Sequence, residues 1–364
     1  MPAKDSTPTV QVLYPDSPER WRSALPASRS VFGSFEFASL LQDHHGYRPL
    51  LFSFRQGEAQ IAYPLLLRGF YDLPFPAAAQ GWDTKTPEYT GPVPLGEVGV
   101  GEARSFRRAF REFCRELNIV AEFAHLHPWH DWRPLLEEGA AFDRELVYVD
   151  LSQPIDRLWE QSFNHACRKN IQRARRENVR VFPARGLDDL KEFHRIYLET
   201  MERNAASASY YFPLDYFTRI FFDLPENAIF LLAEHQDRIV AGTLYMHDDE
   251  NVYSYLGGAD HAYQQVRPTN AVIYEAVCWG RRLGKRRLIL GGGYRPDDGI
   301  FRFKATFSPL RAAFYTYRRI HQGELYDSLC SAWASHFNLE QASGSYFPQY
   351  RASPPELKGE SSRS

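Results

Sequence analysis

The sequence predicts a mixed α/β protein built from two tandem domains, and three observations carry that prediction. The chain has 364 residues, more than one ordinary domain needs and comfortable for two. A strand–turn–strand unit occurs twice, at 47–70 and again, extended to three strands, at 228–259. Segments with apolar residues at helical spacing surround both copies, the pattern of sheets covered by helices. With 44% apolar and 15% aromatic residues, each half can bury its own core.

In the first half, "YRPLLFSFRQGEAQIAYPLLLRGF" (47–70) places β-branched and aromatic residues on both sides of a Gln-Gly turn. "SFRRAFREFCREL" (105–117) puts Phe106, Phe110, Phe113 and Leu117 on one helical face. A strand then runs into "YVDLSQPIDRLW" (148–159), where a new helix begins. The expected domains are therefore 8–150 and 151–335, followed by a polar tail, 336–364, whose Ser- and Pro-rich end has the composition of a disordered segment.

The second half opens with the basic stretch "HACRKNIQRARRENVRVFPAR" (165–185). A helix over 188–203 follows, with Leu190, Phe193, Ile196, Tyr197 and Met201 inward. Three antiparallel strands over 228–259 turn at "HQDR" and "DDEN". The next helix, 269–284, starts after Pro268 with Thr269 as N-cap, buries Val272, Ile273, Ala276, Val277 and Leu283, and stops at Gly284. A strand, 286–290, leads into "GGGYRPDDG", and "FRFKATF" reads as a last strand.

The bulk numbers exclude several classes. A net charge of −2 and a pI near 6.6 argue against a whole-protein polyanion binder, so any phosphate contact must be local. Cys114, Cys167, Cys278 and Cys330 lie far apart, without the pairing of a zinc ribbon or the density of a disulfide framework. The first residues lack a signal-peptide core, and no apolar run reaches the roughly 18 residues of a membrane span. A soluble, cytoplasmic protein is expected. His125, His127 and His130 lack a carboxylate or cysteine at a known metal spacing, so no metal is expected. No cofactor is expected either: "GGGYRPDDG" matches neither a P-loop nor a dinucleotide fingerprint. No Gly-x-Ser-x-Gly motif or Cys–His pair supports covalent catalysis.

Two features remain. Residues 165–185 carry seven Arg or Lys against one acid, Glu177, and "RRLGKRR" (281–287) adds five more positive charges. These are either solvated faces or phosphate contacts. Lys304, between Phe303 and Phe307, would share one strand face with Arg302 and Thr306 in apolar surroundings, where an ammonium is electrostatically potent. A surface lysine on an amphipathic strand is the alternative. The glycines Gly291–Gly293 end a strand and would let a substrate approach the backbone.

In order along the chain, "RKNIQRARRENVRV", "YLETMERN…YYFPLDYF", "EHQDRIVAGTLY", "RPTNAVIYEAVCWGRRLGKRRLILGGG" and "GIFRFKATFSP" resemble the FemABX aminoacyltransferases and the wider FemAB-like acyltransferases. The resemblance covers roughly residues 30–320, more loosely in the first half. It implies two tandem GNAT-like domains and an amide formed from an aminoacyl-tRNA ester and an amine on a peptidoglycan precursor. It implies that Phe303 and Lys304 are the catalytic Phe-Lys pair. Tyr89, Arg168, Asn170, Tyr211, Tyr255, Asn270 and Arg302 become candidate substrate contacts, and Asp260 or Glu275 a candidate base, with substrate-assisted proton loss as the alternative.

The chain also departs from the family. Leu41 stands about where Fem ligases carry a phosphate-binding lysine, and Ala206 and Ser207 precede Tyr210 and Tyr211 where an arginine is usual. The place of the CoA pyrophosphate loop reads Gln264-Gln265-Val266-Arg267-Pro268-Thr269, with Pro268 lacking an N–H. That favours aminoacyl-tRNA as donor. The alternatives are a CoA-dependent N-acyltransferase and a non-catalytic module that binds tRNA or a precursor.

Overall fold

The structure, a computed structural model, describes residues 7–77, 80–293, 295, 297–339 and 346–353. The chain opens with strand β1 (Thr9–Leu13) and helices α1 (Pro18–Ala24) and α2 (Phe35–His45). Strands β2 (Arg48–Gln56), β3 (Ala59–Gly69), β4 (Trp82–Lys85) and β5 (Val93–Pro94) follow. Helix α3 (Val100–Glu116), β6 (Ile119–Leu126) and β7 (Ala140–Asp150) come next. A short helix α4 (Ile155–Arg157) runs into a π-turn over Leu158–Ser162 and then into α5 (His165–Arg176) and β8 (Arg180–Pro183). Helices α6 (Leu187–Arg203) and α7 (Leu214–Asp223) precede β9 (Ala228–His235), β10 (Arg238–His247) and β11 (Asn251–Ala259). The chain ends with α8 (Pro268–Arg282), β12 (Arg287–Gly291), α9 (Gly299–Ala305), β13 (Arg311–Ile320) and α10 (Gly323–His336). Among the described residues no helix is long and apolar enough to cross a membrane.

Two compact units form, and they do not follow chain order. The first takes the residues up to 17, residues 47–141 and those from 315 on; the second takes 18–46 and 142–314. The expected division into 8–150 and 151–335 differs from this in three places, each with a packing cause. Residues 18–46 join the second unit because Phe32 meets Tyr253 and Tyr255 edge-to-face, and Asp249 N–H donates to Ser28 O at 2.7 Å. Most of β7 joins it through antiparallel pairing with β12, Leu288 opposite Val149. The end of β13 joins the first unit by pairing with β6, Tyr317 opposite Ala124.

In the first unit, β2 and β3 form the expected hairpin, in register from Arg48↔Leu67 to Gln56↔Ala59. Gly57 supplies the positive φ of its turn. Phe106, Phe110 and Phe113 of α3 close the core over Phe52, Phe54 and Tyr63. In the second unit, β9, β10 and β11 are antiparallel, and β11 pairs in parallel with β12. Helices α5 and α8 cover this sheet with Cys167, Ile171, Val272, Ile273, Ala276 and Val277 inward. The parallel β11–β12 pair is made by a helical crossover, α8, as such pairs require.

The stretch expected to be a polar tail is partly core. Residues 340–345 and 354–364 lie outside the described residues. Between them Tyr350 is fully buried, and its neighbour Arg351 donates through Nε to Asp83 Oδ2 at 2.5 Å and through Nη2 to Gly69 O at 2.6 Å. Arg68 donates to the other Asp83 oxygen. Composition did not reveal this anchor because one Tyr-Arg pair carries it.

Asp83 has no exposed surface and is held between two guanidinium groups. Asp83→Asn is expected to destabilise the protein by about 3 kcal/mol, since removing one partner strands buried charge. Urea unfolding measures it.

Candidate active site

Lys304 lies on a helix, not on the expected strand. Asp298 is the N-cap of α9, its Oδ1 accepting from Phe301 N–H at 2.8 Å, and this cap starts a helix in place of an extended chain. The expected strand face of Arg302, Lys304 and Thr306 therefore does not exist. Thr306 is the C-cap and donates back to Phe303 O at 2.6 Å. Phe303 packs edge-to-face on Phe307, which is fully buried in the core of the second unit. Arg302 is exposed and donates to Asp297 O.

The α9 helix turns the Lys304 ammonium back onto the glycine run, where Nζ donates to Gly292 O at 2.7 Å. Arg144, from β7, donates to the next carbonyl, Gly293 O, at 3.0 Å. Burial lowers the Lys304 ammonium to about 8; the carboxylate of Asp298 opposes that shift and the charge of Arg144 adds to it. The glycines serve this arrangement. Gly291 has φ 82°, a Cβ on Gly292 would lie 2.9 Å from Arg144 Cδ, and one on Gly293 would lie 2.3 Å from Asp298 Oδ1. Here the room they clear is taken by Arg144 and Asp298. Tyr294 and Pro296 lie outside the described residues.

A lysine ammonium has three N–H donors. Gly292 O takes one, leaving two for a developing oxyanion while the amine stays fixed. Arg144 and Asp298 were not singled out from the sequence. Asp-Gly followed by nine residues without proline is a helix-start signal that would have found Asp298; nothing local marks Arg144, which arrives from a distant strand.

Helix α5 starts beside this site. Its N-cap Asn164 accepts from Cys167 N–H at 2.9 Å, and Asn164 N–H donates to Thr306 O at 2.9 Å, two residues from Lys304. The seven cations of the basic segment then divide. Arg168 donates from Nη1 to Trp159 O, Glu160 O and Phe163 O, filling carbonyls left open around the π-turn. Arg175 lies over Tyr274 and Trp159, Arg180 pairs with Glu234, and Arg185 with Asp189. Lys169, Arg173 and Arg176 remain, and with Ala166, Asn170, Glu177 and Arg267 they line a cavity of about 570 Å³. Most of the second basic patch is spent internally: Arg282 pairs with Glu275, Arg286 and Arg287 with Glu250, and Lys285 donates to Asp248 O, while Arg281 Nε is buried without a hydrogen-bond partner among the described residues.

The other candidate contacts are dispersed. Tyr255 shares a 2.8 Å hydroxyl–hydroxyl hydrogen bond with Tyr216. Tyr211 is 40% exposed at the end of a 3₁₀ turn. Asn270 is 4% exposed in the first turn of α8, its Nδ2 without a partner among the described residues. Tyr89 belongs to the first unit, in a loop at φ 48°. Asp260 caps a 3₁₀ helix, and Glu275 is held by Arg282, so both candidate bases have structural partners. Leu41 is buried in α2.

Residues 161–305 match the family model of the acetyltransferase (GNAT) domain, a span that ends one residue beyond Lys304. The fold is similar to the crystal structure of FemX, with TM-score 0.64 and 13% identity over 87% of this chain and 98% of that one. It is also similar to a conserved protein of unknown function from Bacteroides thetaiotaomicron (TM-score 0.55, 14% identity, 86% of this chain and 99% of that one). A third similar structure is the C-terminal domain of a putative lysylphosphatidylglycerol synthetase from Agrobacterium fabrum (0.52, 14%, 83% and 91%). A comparison with curated proteins finds no match.

Stability measurements on three variants check the site. Arg168→Ala is expected to cost about 2 kcal/mol, because it strands carbonyls bonded to a charged donor; Arg173→Ala should change stability by less than about 0.5 kcal/mol. Lys304 titrates near 8 when folded against an ordinary 10.5. Between those values the unfolded chain binds more protons, so stability rises with pH. Lys304→Met is expected to make that rise shallower in unfolding experiments run across the window; buried Lys85, also held below the ordinary lysine value, keeps a share of it.

Proposed function

We propose that this chain, with a GNAT-type acyltransferase domain on a FemX-like fold, forms an amide by direct attack of an acceptor amine on an aminoacyl-tRNA ester. The observation that carries the reading is the Lys304 ammonium, partly desolvated and anchored on Gly292 O with donors to spare. The amine nitrogen attacks the ester carbonyl carbon, and the C–N bond forms as negative charge collects on the carbonyl oxygen. Lys304 stabilises that oxyanion. Collapse breaks the bond to the ribose oxygen, which leaves with a proton, and the amine nitrogen gives up one proton. No acyl-enzyme forms on this route, in keeping with a site built around a cation.

The start of α8 supports a donor other than CoA. A CoA pyrophosphate loop uses free backbone N–H groups at a helix start. Here Pro268 has none, and Asn270 N–H donates to Arg267 O at 3.1 Å. Arg267 itself stands in the left-handed region at φ 61°. Phe303 shapes one wall of the reaction centre. The acceptor is an amine, with a peptidoglycan precursor as the leading candidate; buried Leu41 gives it no phosphate contact, so such a precursor would be held by other groups.

The test is donor choice. Protein is incubated with amino-acid-labelled charged tRNA, or with acyl-CoA, together with candidate amines. Amide is expected from the tRNA ester, and consumption of CoA esters alone would overturn the donor assignment. Lys304→Met should lower turnover by about 10²–10³, the scale of a lost oxyanion donor. Unchanged turnover would remove Lys304 from the mechanism.

A further inference from the structure

Resting on the donor reading above, we infer that the cavity lined by Lys169, Arg173, Arg176 and Arg267 binds phosphate groups of the acyl donor, held by side chains in place of backbone amides. Four cations face one carboxylate, Glu177, in one cavity of about 570 Å³. The chain as a whole carries −2, so this concentration of positive charge is local.

Arg168, Arg175, Arg180 and Arg185 are consumed by carbonyls, rings or carboxylates, whereas Lys169 and Arg176 have no such partner among the described residues. Arg173 has one half-exposed ion pair, with Glu177 at 3.9 Å, which leaves most of its donors open. Arg267 Nε is buried and lacks a hydrogen-bond partner among the described residues. A guanidinium nitrogen held from water without an acceptor is costly in a resting protein, and a shift of the Arg267 side chain onto a phosphate in the cavity would satisfy it.

Geometry connects the cavity to the chemistry. Residues 169, 173 and 176 form a stripe along α5, on the side away from buried Cys167, Ile171 and Ala174. The start of α5 is bonded to Thr306 O, next to Lys304, and its last residues lie roughly 15 Å further along the axis. A donor whose phosphates track this stripe would deliver its reactive end toward Lys304. Both the phosphodiester backbone of an RNA 3′ end and the diphosphate of CoA offer this chemistry.

The experiment compares wild type with the triple variant K169Q/R173Q/R176Q and with Glu177→Gln. Three probes are used in fluorescence or calorimetric titrations: an uncharged RNA hairpin with a single-stranded 3′ end, CoA, and inorganic pyrophosphate. The triple variant should bind the RNA at least 30-fold more weakly while keeping the wild-type circular dichroism spectrum and melting temperature. Its salt slope should fall by about 2, the loss of three phosphate contacts on a single strand. In turnover, the donor KM should rise with kcat within about threefold. Glu177→Gln, which removes the one acid, should bind the RNA severalfold more tightly.

If the triple variant weakens CoA or pyrophosphate but not RNA, the phosphate site stands with CoA as its source. If no probe is weakened and Glu177→Gln changes nothing, the inference is overturned even where wild type makes amide from tRNA. If the probes are weakened but wild type makes amide from neither donor, the donor reading fails and the site survives.

Discussion

The proposed reaction needs a cation kept charged and fixed, with donors to spare, in a place poor in water, and the groups packed around Lys304 can be read from that need. Burial pushes the Lys304 ammonium down to about 8; the carboxylate of Asp298 opposes that shift, Arg144 adds to it, and Gly292 O fixes the amine in place. Each of these groups demands something of the backbone. Asp298 must cap a helix, Gly292 and Gly293 must clear room for Arg144 and Asp298, and Gly291 turns the chain at φ 82°.

The same constraint reaches α5. Thr306 closes α9 and also accepts from Asn164, so the basic helix begins where α9 stops. Its cations then have distinct duties. Arg168 repairs a π-turn that would otherwise leave carbonyls open. Arg175 packs on Tyr274 and Trp159, an arrangement suited to a flat guanidinium. A charge count alone cannot separate these roles, since each depends on what the fold brings opposite the side chain.

That difference sets how much was legible in the sequence. The hairpin at 47–70, the three strands at 228–259 and the helices at 188–203 and 269–284 have long, regular patterns, and they form within one or two residues of where the pattern places them. Lys304 stood out by its apolar flanks and the family resemblance paired it with Phe303, but "FRFKATF" alternates so evenly that it mimics a strand; the Asp298 cap overrides that alternation. Arg168 and Arg302 were singled out by a charge that the sequence shows, whereas their intramolecular acceptors are visible only in the fold. The exchange of 18–46 into the second unit rests on Phe32 meeting Tyr253 and Tyr255, a long-range contact that no local pattern records.

The central claim is that Lys304 acts as a cation. The most direct measurement is a single-turnover pH–rate profile, at saturating donor and acceptor, for wild type and Lys304→Arg. The account predicts a wild-type rate that falls as pH rises through about 8, where the buried ammonium loses its proton. That descending limb should be absent up to pH 10 in any activity Lys304→Arg retains, since a guanidinium stays charged throughout. A wild-type rate that stays level through pH 10, or a descending limb at the same pH in both proteins, would contradict it.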